Sequence, residues 1–255
     1  MNINYQQASY QRVYAQPAYI LHTKAYQNTS LLIDAFTAEY GRIRLIAKGA
    51  RRVKSNFAGK LQVFIPLLIS WSGKSELYTL TDADFANDRD SGLNKNFLRG
   101  KALLSAYYLN ELILRFMSLE DPHTDIFYYY VNSLNKLQTK KNIESTLRNF
   151  ESILLDEVGY RLLLSHEAHT GNEVEAKQQY YYVLSEGPVK LQANLTLPDS
   201  EGMKVMGQTL LELERGSFTS KETLKQAKQL MRAIIAKHLA GKPLKTRTLF
   251  QSDIL

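Results

Sequence analysis

The sequence predicts an α+β chain of more than one domain, with a small β-barrel leading into a mostly α-helical domain that carries a small β-hairpin subregion. Three observations predict it. Five short strand-like segments crowd into about 65 residues after Pro17. Beyond an acidic, Gly-ended stretch at 82–92 (DADFANDRDSG), hydrophobic spacing changes from alternation to a helical period. The net charge is +7 over 255 residues, and residues 1–80 carry all of it, with ten bases against three acids.

Residues 1–16 read as a polar, Gln/Tyr-rich flexible lead-in. Strands follow at 18–26 and 30–37, and a hairpin connection at 38–41 returns the chain through 42–48 (RIRLIAK). There Ile43 and Leu45 point one way and Arg42 and Arg44 the other, because successive strand side chains face opposite sides. Residues 49–60 form a long basic loop punctuated by Gly49 and Gly59. A strongly apolar strand at 61–71 contains Pro66, which argues for an edge or a bulge. The strand at 77–81 closes the last hairpin. The barrel domain is thus expected over 17–82, a linker over 83–94 and the helical domain over 95–255.

In the second domain, apolar spacing predicts helices at 95–119, from Asp121-Pro122 to about 137, and at 142–157, the last ended by Gly159. An irregular middle subregion at 160–195 includes a hairpin, 180–185 with 189–192 across Glu186-Gly187-Pro188. Two further helices are expected at 203–214 and 220–239, the second opened by Ser220 as a capping residue. The tyrosine triplet at 128–130 reads as part core, part rim, since one face cannot hold all three.

Several chemistries find no support. With no cysteine, disulfides, thiolate metal sites and a cysteine nucleophile are excluded. Gly73-Lys74-Ser75 lacks the upstream glycine of a phosphate loop, since that position is Leu68. No dinucleotide glycine pattern or serine elbow occurs. His166 and His169 lie three apart without a second ligand pair and read as a solvated loop, not a metal site. Asp82, Asp84, Asp88 and Asp90 do not match a calcium loop and read as a solvated connection; a metal-dependent nuclease on them is the weakest alternative. No enzyme, metal or cofactor is expected. No apolar run reaches membrane-spanning length, and the opening residues do not read as a secretory signal, so the chain is expected in the cytoplasm.

The distribution of charge is the strongest functional signal. Residues 42–60 (RIRLIAKGARRVKSNFAGK) hold seven bases and no acid: Arg42, Arg44, Lys48, Arg51, Arg52, Lys54 and Lys60. Such a cluster repels itself unless a polyanion neutralises it. On a barrel, basic strands and loops suit nucleic acid, with phosphate contacts supplying sequence-independent affinity. Phe57 and Trp71, flanked by cations, offer a secondary reading as base-stacking faces. Six phosphate contacts predict a salt slope of about −4 on single strands and about −5 on duplex.

The run SLLIDAFTAEYGRIRLIAKGARRVKSNFAGKLQVFIPLLISWSGKSELYTL resembles the N-terminal oligonucleotide-binding domain (OB-fold) of the bacterial DNA repair and recombination family RecO. The match lies in a tyrosine-glycine turn, a basic strand, K-G-A-R-R and L-Q-x-F-x-P-L. LDEVGY at 155–160 and GKPLKTR at 241–247 resemble later family segments, so the likeness runs from 17 to 250. The resemblance implies a recombination mediator that binds single- and double-stranded DNA and anneals complementary strands without ATP. It also implies partnership with RecR, recognition of the acidic C-terminal tail of single-strand-binding protein, and help in loading RecA, at the nucleoid. Lys48, Arg51 and Arg52 fall in the matched K-G-A-R-R; Arg42 and Arg44 match more loosely. Many relatives carry a four-cysteine zinc module in the middle loop. Its absence here implies a degenerate, metal-free subregion. The rival from another class is a structural adaptor whose basic domain binds an acidic protein.

Overall fold

The computed structural model describes residues 10–74, 77–86, 98–191 and 201–249. It divides into two compact units. The first takes the described residues up to 97 together with Met117–Leu134; the second takes Leu98–Phe116 and the described residues from Asn135 onward.

The first unit is built on five strands, β1 (Gln11–Tyr26), β2 (Ser30–Thr37), β3 (Gly41–Ala47), β4 (Pro66–Gly73) and β5 (Tyr78–Phe85). They pair in the closed order β1-β2-β3-β5-β4, antiparallel except for β3 with β5. Following Cα partners from Arg12 through Ser72, Thr79, Ile46 and Leu32 leads to Lys24, further along β1 itself. That stagger is what closing a small tilted barrel requires. Inward residues alternate along the strands: Ile33 and Ala35 on β2, Ile43, Leu45 and Ala47 on β3, and Leu67, Ile69 and Trp71 on β4 fill the core. Pro66 stands at the first position of its strand, where a missing N–H is tolerated.

One side of the barrel is covered by α2 (Thr124–Gln138), whose residues through Leu134 belong to this unit. Phe127 and Tyr130 pack edge-on and tilted against Tyr19 and Phe36, with centroids 5.4–6.0 Å apart. Such pairs contribute about 0.5–1.5 kcal/mol each beyond buried area. Tyr130 is the buried member of the triplet, while Tyr128 and Tyr129 are exposed. The chain reaches α2 through a tight passage. Glu120 N–H donates to the Arg42 carbonyl at 2.8 Å, and a Cβ on Gly41 would come within 2.0 Å of the Asp121 carbonyl oxygen. Gly41, at φ 62°, is therefore held to glycine by both conformation and space.

Three expectations need correction here. The lead-in does not extend to residue 16, because β1 begins at Gln11 and pairs with β4 from there. Only Val13 is buried in that stretch, and a bulge between Val13 and Gln16 breaks the alternation, so the pattern hid the strand. The barrel strand β5 continues into the expected linker as far as Phe85, with Ala83 buried; residues 87–94 lie outside the described residues. Finally, residues 117–134, expected in the helical domain, pack with the barrel.

The second unit contains α1 (Lys101–Phe116), α3 (Ile143–Glu157), β6 (Gln179–Val183), β7 (Gly187–Lys190), β8 (Gly202–Met206), α4 (Gly207–Arg215), α5 (Lys221–His238) and α6 (Lys245–Leu249). Ser220 caps α5 by accepting the Thr223 N–H at 3.0 Å. The expected helix at 203–214 is instead a strand followed by a shorter helix. Residues 202–206 pair with β6, burying Val205, and Gly207 passes so close to the Glu175 carbonyl that a Cβ would lie 2.1 Å from it. The expected hairpin is thus the first two strands of a three-stranded sheet, ordered β7-β6-β8; Gln192 lies outside the described residues.

Candidate nucleic-acid interface

The basic run is divided by its partners. On β3, Ile43 and Leu45 are buried in the barrel while Arg42 and Arg44 face outward. Arg44 lies opposite Asp34 of β2 and pairs with it, Nε to Oδ1 at 3.5 Å. Arg42 is half-buried. Burial pushes its guanidinium below its ordinary range, against the pull of Asp34. At the far end of the run, Lys60 Nζ meets Asp84 Oδ1 of β5 at 2.5 Å. Three of the seven predicted bases are therefore partly buried or matched with carboxylates.

The other four, Lys48, Arg51, Arg52 and Lys54, are exposed within seven residues of chain. The loop that carries them is a succession of tight turns. Arg52 N–H donates to the Gly49 carbonyl at 3.0 Å, Ser55 N–H to that of Arg52 at 3.1 Å, and Ala58 N–H to that of Ser55 at 3.1 Å. Arg51 N–H donates to the Thr29 carbonyl at 2.9 Å, docking the loop on the β1–β2 turn, where its Nη1 also reaches the Gln27 carbonyl at 3.5 Å. Gly49 adopts φ 70°, and the Arg52 side chain lies over the space a Cβ would take. Phe57 and Val63 pack from this connection against the barrel core. The cations stand on a braced platform.

Trp71 is not available for stacking. It is 1% exposed, in the barrel core, with Tyr40 edge-on at 5.1 Å. Phe57 is half-buried against the same core. The exposed aromatics of this unit include Tyr10, Tyr14 and Tyr26. Three cations outside the predicted set are also exposed, Lys74 after β4 and Lys24 and Arg12 on β1. The alternation Tyr10-Arg12-Tyr14 around Val13 was the signal for the last, within a stretch too polar to read as a strand.

A second cationic site lies in the second unit. Lys101 and Ser105 of α1, Leu147 and Arg148 of α3, Lys228 and Arg232 of α5 and Arg247 of α6 line one cavity with Tyr108 and Glu144. Arg148 is fixed by buried Glu151, with Nε to Oε2 at 2.7 Å, and Tyr108 donates to Glu151 Oε1 at 2.7 Å. Burial works to raise the Glu144 carboxyl, yet hydrogen bonds from Lys228 and Lys101 carry it below its ordinary range.

Elsewhere, His169 Nε2 faces Glu186 Oε2 at 2.9 Å and His166 Nδ1 faces Ser165 Oγ at 3.1 Å. Among the described residues, no three His, Asp or Glu side chains come together as metal ligands, and no helix is long and apolar enough to cross a membrane. Asp82 and Asp84 stand on β5, and Asp88 and Asp90 lie outside the described residues.

Family models also divide the chain in two, with Met117–Leu134 of the first unit falling inside the second match. Residues 12–89 match the model described as recombination protein O N terminal, and residues 98–248 match recombination protein O C terminal. The chain belongs to the RecO family. It is 44% identical to the DNA repair protein RecO of Nitrosococcus oceani over 94% of both chains. It is 42% identical to that of Methylococcus capsulatus over 95% of both, and 41% identical to that of Coxiella burnetii over 93% of this chain and 98% of the relative. As a RecO protein it has a role in DNA repair. The four bases of the braced loop lie inside the N-terminal RecO match, and the cavity of the second unit inside the C-terminal one.

Proposed function

We propose that the chain is a non-enzymatic recombination mediator of the cytoplasm and nucleoid, which binds single- and double-stranded DNA on the Lys48–Lys54 loop. The observation that carries this is the exposure of four bases on one rigid loop, with no carboxylate among residues 42–60. Two DNA strands repel through their phosphates. A cationic surface that screens both lets complementary bases meet, and base pairing supplies the free energy, so no nucleotide hydrolysis is required. Arg44 and Lys60 flank this surface and join it where phosphate displaces Asp34 or Asp84. Arg42 contributes through the local field more than by contact.

The cavity around Arg148 suits the acidic, apolar-ended tail of single-strand-binding protein: five cations converge on a wall containing Leu147 and Tyr108. Docking there would hold the mediator on coated strands, where partnership with RecR would then favour RecA loading.

The test is annealing of complementary oligonucleotides coated with single-strand-binding protein, without nucleotide. The chain is expected to accelerate annealing, and to do so less when the coating protein lacks its acidic tail. Annealing no faster than the uncatalysed rate overturns the proposal.

A further inference from the structure

The first half of β1 carries a feature the basic loop does not explain. Residues 11–16 pair with β4 alone, since pairing to β2 begins at Ala18. Val13 turns into the core, and Tyr10, Arg12 and Tyr14 project together from the opposite face. Both tyrosines are strongly exposed, at 58% and 65%. That is unusual for rings with a core available beneath the same strand.

The three side chains are tied to one another. Ser72 on β4 and Arg12 together lower the Tyr10 hydroxyl from its ordinary range, and Tyr14 and Tyr10 in turn raise the Arg12 guanidinium. Ala15, at φ 48° in the bulge, donates its N–H to Ser70 Oγ at 3.0 Å and anchors the strand beyond Tyr14. Alternate residues of a strand lie about 7 Å apart. The ladder therefore presents an aromatic ring, a guanidinium plane and a second ring at intervals of about twice the 3.4 Å rise of stacked bases. Rings and guanidinium planes bind the flat faces of bases, which are exposed in single strands and hidden in duplex.

We infer that Tyr10, Arg12 and Tyr14 form a stacking ladder for unpaired bases, which gives the barrel a preference for single-stranded DNA. The inference rests on the DNA-binding reading of the loop and adds to it: the loop neutralises phosphate in any DNA, and the ladder selects strands whose bases are open. The cation between the rings fits a polyanion better than an apolar protein surface, and Lys74, which follows Gly73, the Cα partner of Gln11, adds a second exposed base nearby.

The experiment uses the full chain with Tyr10→Ala and Tyr14→Ala together, measured by fluorescence anisotropy on a labelled oligothymidylate and on a duplex of equal length. Single-strand affinity is expected to fall about tenfold or more for each ring removed, with duplex affinity unchanged. Tyr10→Phe with Tyr14→Phe keeps the rings and is expected to retain single-strand affinity, which separates stacking from hydrogen bonding. Both residues are exposed, so the far-ultraviolet spectrum and melting point are expected to match wild type. Equal losses on both DNAs, or no loss on either, overturn the ladder while leaving the loop. Loss of a protein partner with strand affinity intact also overturns it and assigns the face to protein. A wild-type chain that binds neither DNA removes the underlying reading itself.

Discussion

Replacing Arg51 and Arg52 together with glutamate is expected to lower affinity for single strands and duplex alike, on the order of 100-fold at moderate salt. Two attractive charges become two repulsive ones at the centre of residues 42–60, which hold seven bases and no acid. The fold should survive. Both side chains are exposed, and the hydrogen bonds that brace the loop here come chiefly from the backbone N–H groups of Arg51 and Arg52. Filter binding with circular dichroism as the folding control measures both. If DNA binding persists while binding of an acidic protein partner is lost, the barrel is an adaptor surface, and strand annealing must be explained elsewhere.

A second large effect concerns stability. Arg148 and Glu151 are 3% and 1% exposed and form a two-point ion pair completed by Tyr108. Glu151→Gln leaves a guanidinium in the interior of the second unit without its counter-charge. That is expected to cost about 3–5 kcal/mol, read as a lower midpoint of urea denaturation. Replacing both partners with apolar residues of similar volume, Arg148→Met with Glu151→Leu, is expected to recover much of the loss, because no charge is then left buried alone. The double variant separates two roles. It restores the fold but removes one cation from the cavity proposed to receive the acidic tail.

Much of this was legible from local pattern. The alternation of 42–48, the turn at Tyr40-Gly41 and the Ser220 cap each depend on residues close in sequence, and each appears where spacing places it. What pattern could not show depended on partners distant in the chain. Asp34 and Asp84 match Arg44 and Lys60 only because β2 lies beside β3 and β5 folds back along the basic connection. Trp71 drew a secondary reading as a stacking face because Lys74 follows it, yet strand parity turns it inward. The first half of β1 was hidden because its alternation turns one residue, Val13, into the core before the bulge breaks it. The cavity around Arg148 draws residues from Lys101 to Arg247, a juxtaposition no window of sequence contains.

The division of the basic run changes a number that can be measured. Four exposed cations of the run without a carboxylate partner, in place of six, predict a slope of log affinity against log salt of about −3 on single strands and about −3.5 on duplex. Titrating labelled oligonucleotides with the full chain across a series of salt concentrations tests the central claim directly. A slope near these values is the expected result. An affinity that does not change with salt would mean that the loop does not neutralise phosphate, and would contradict the account.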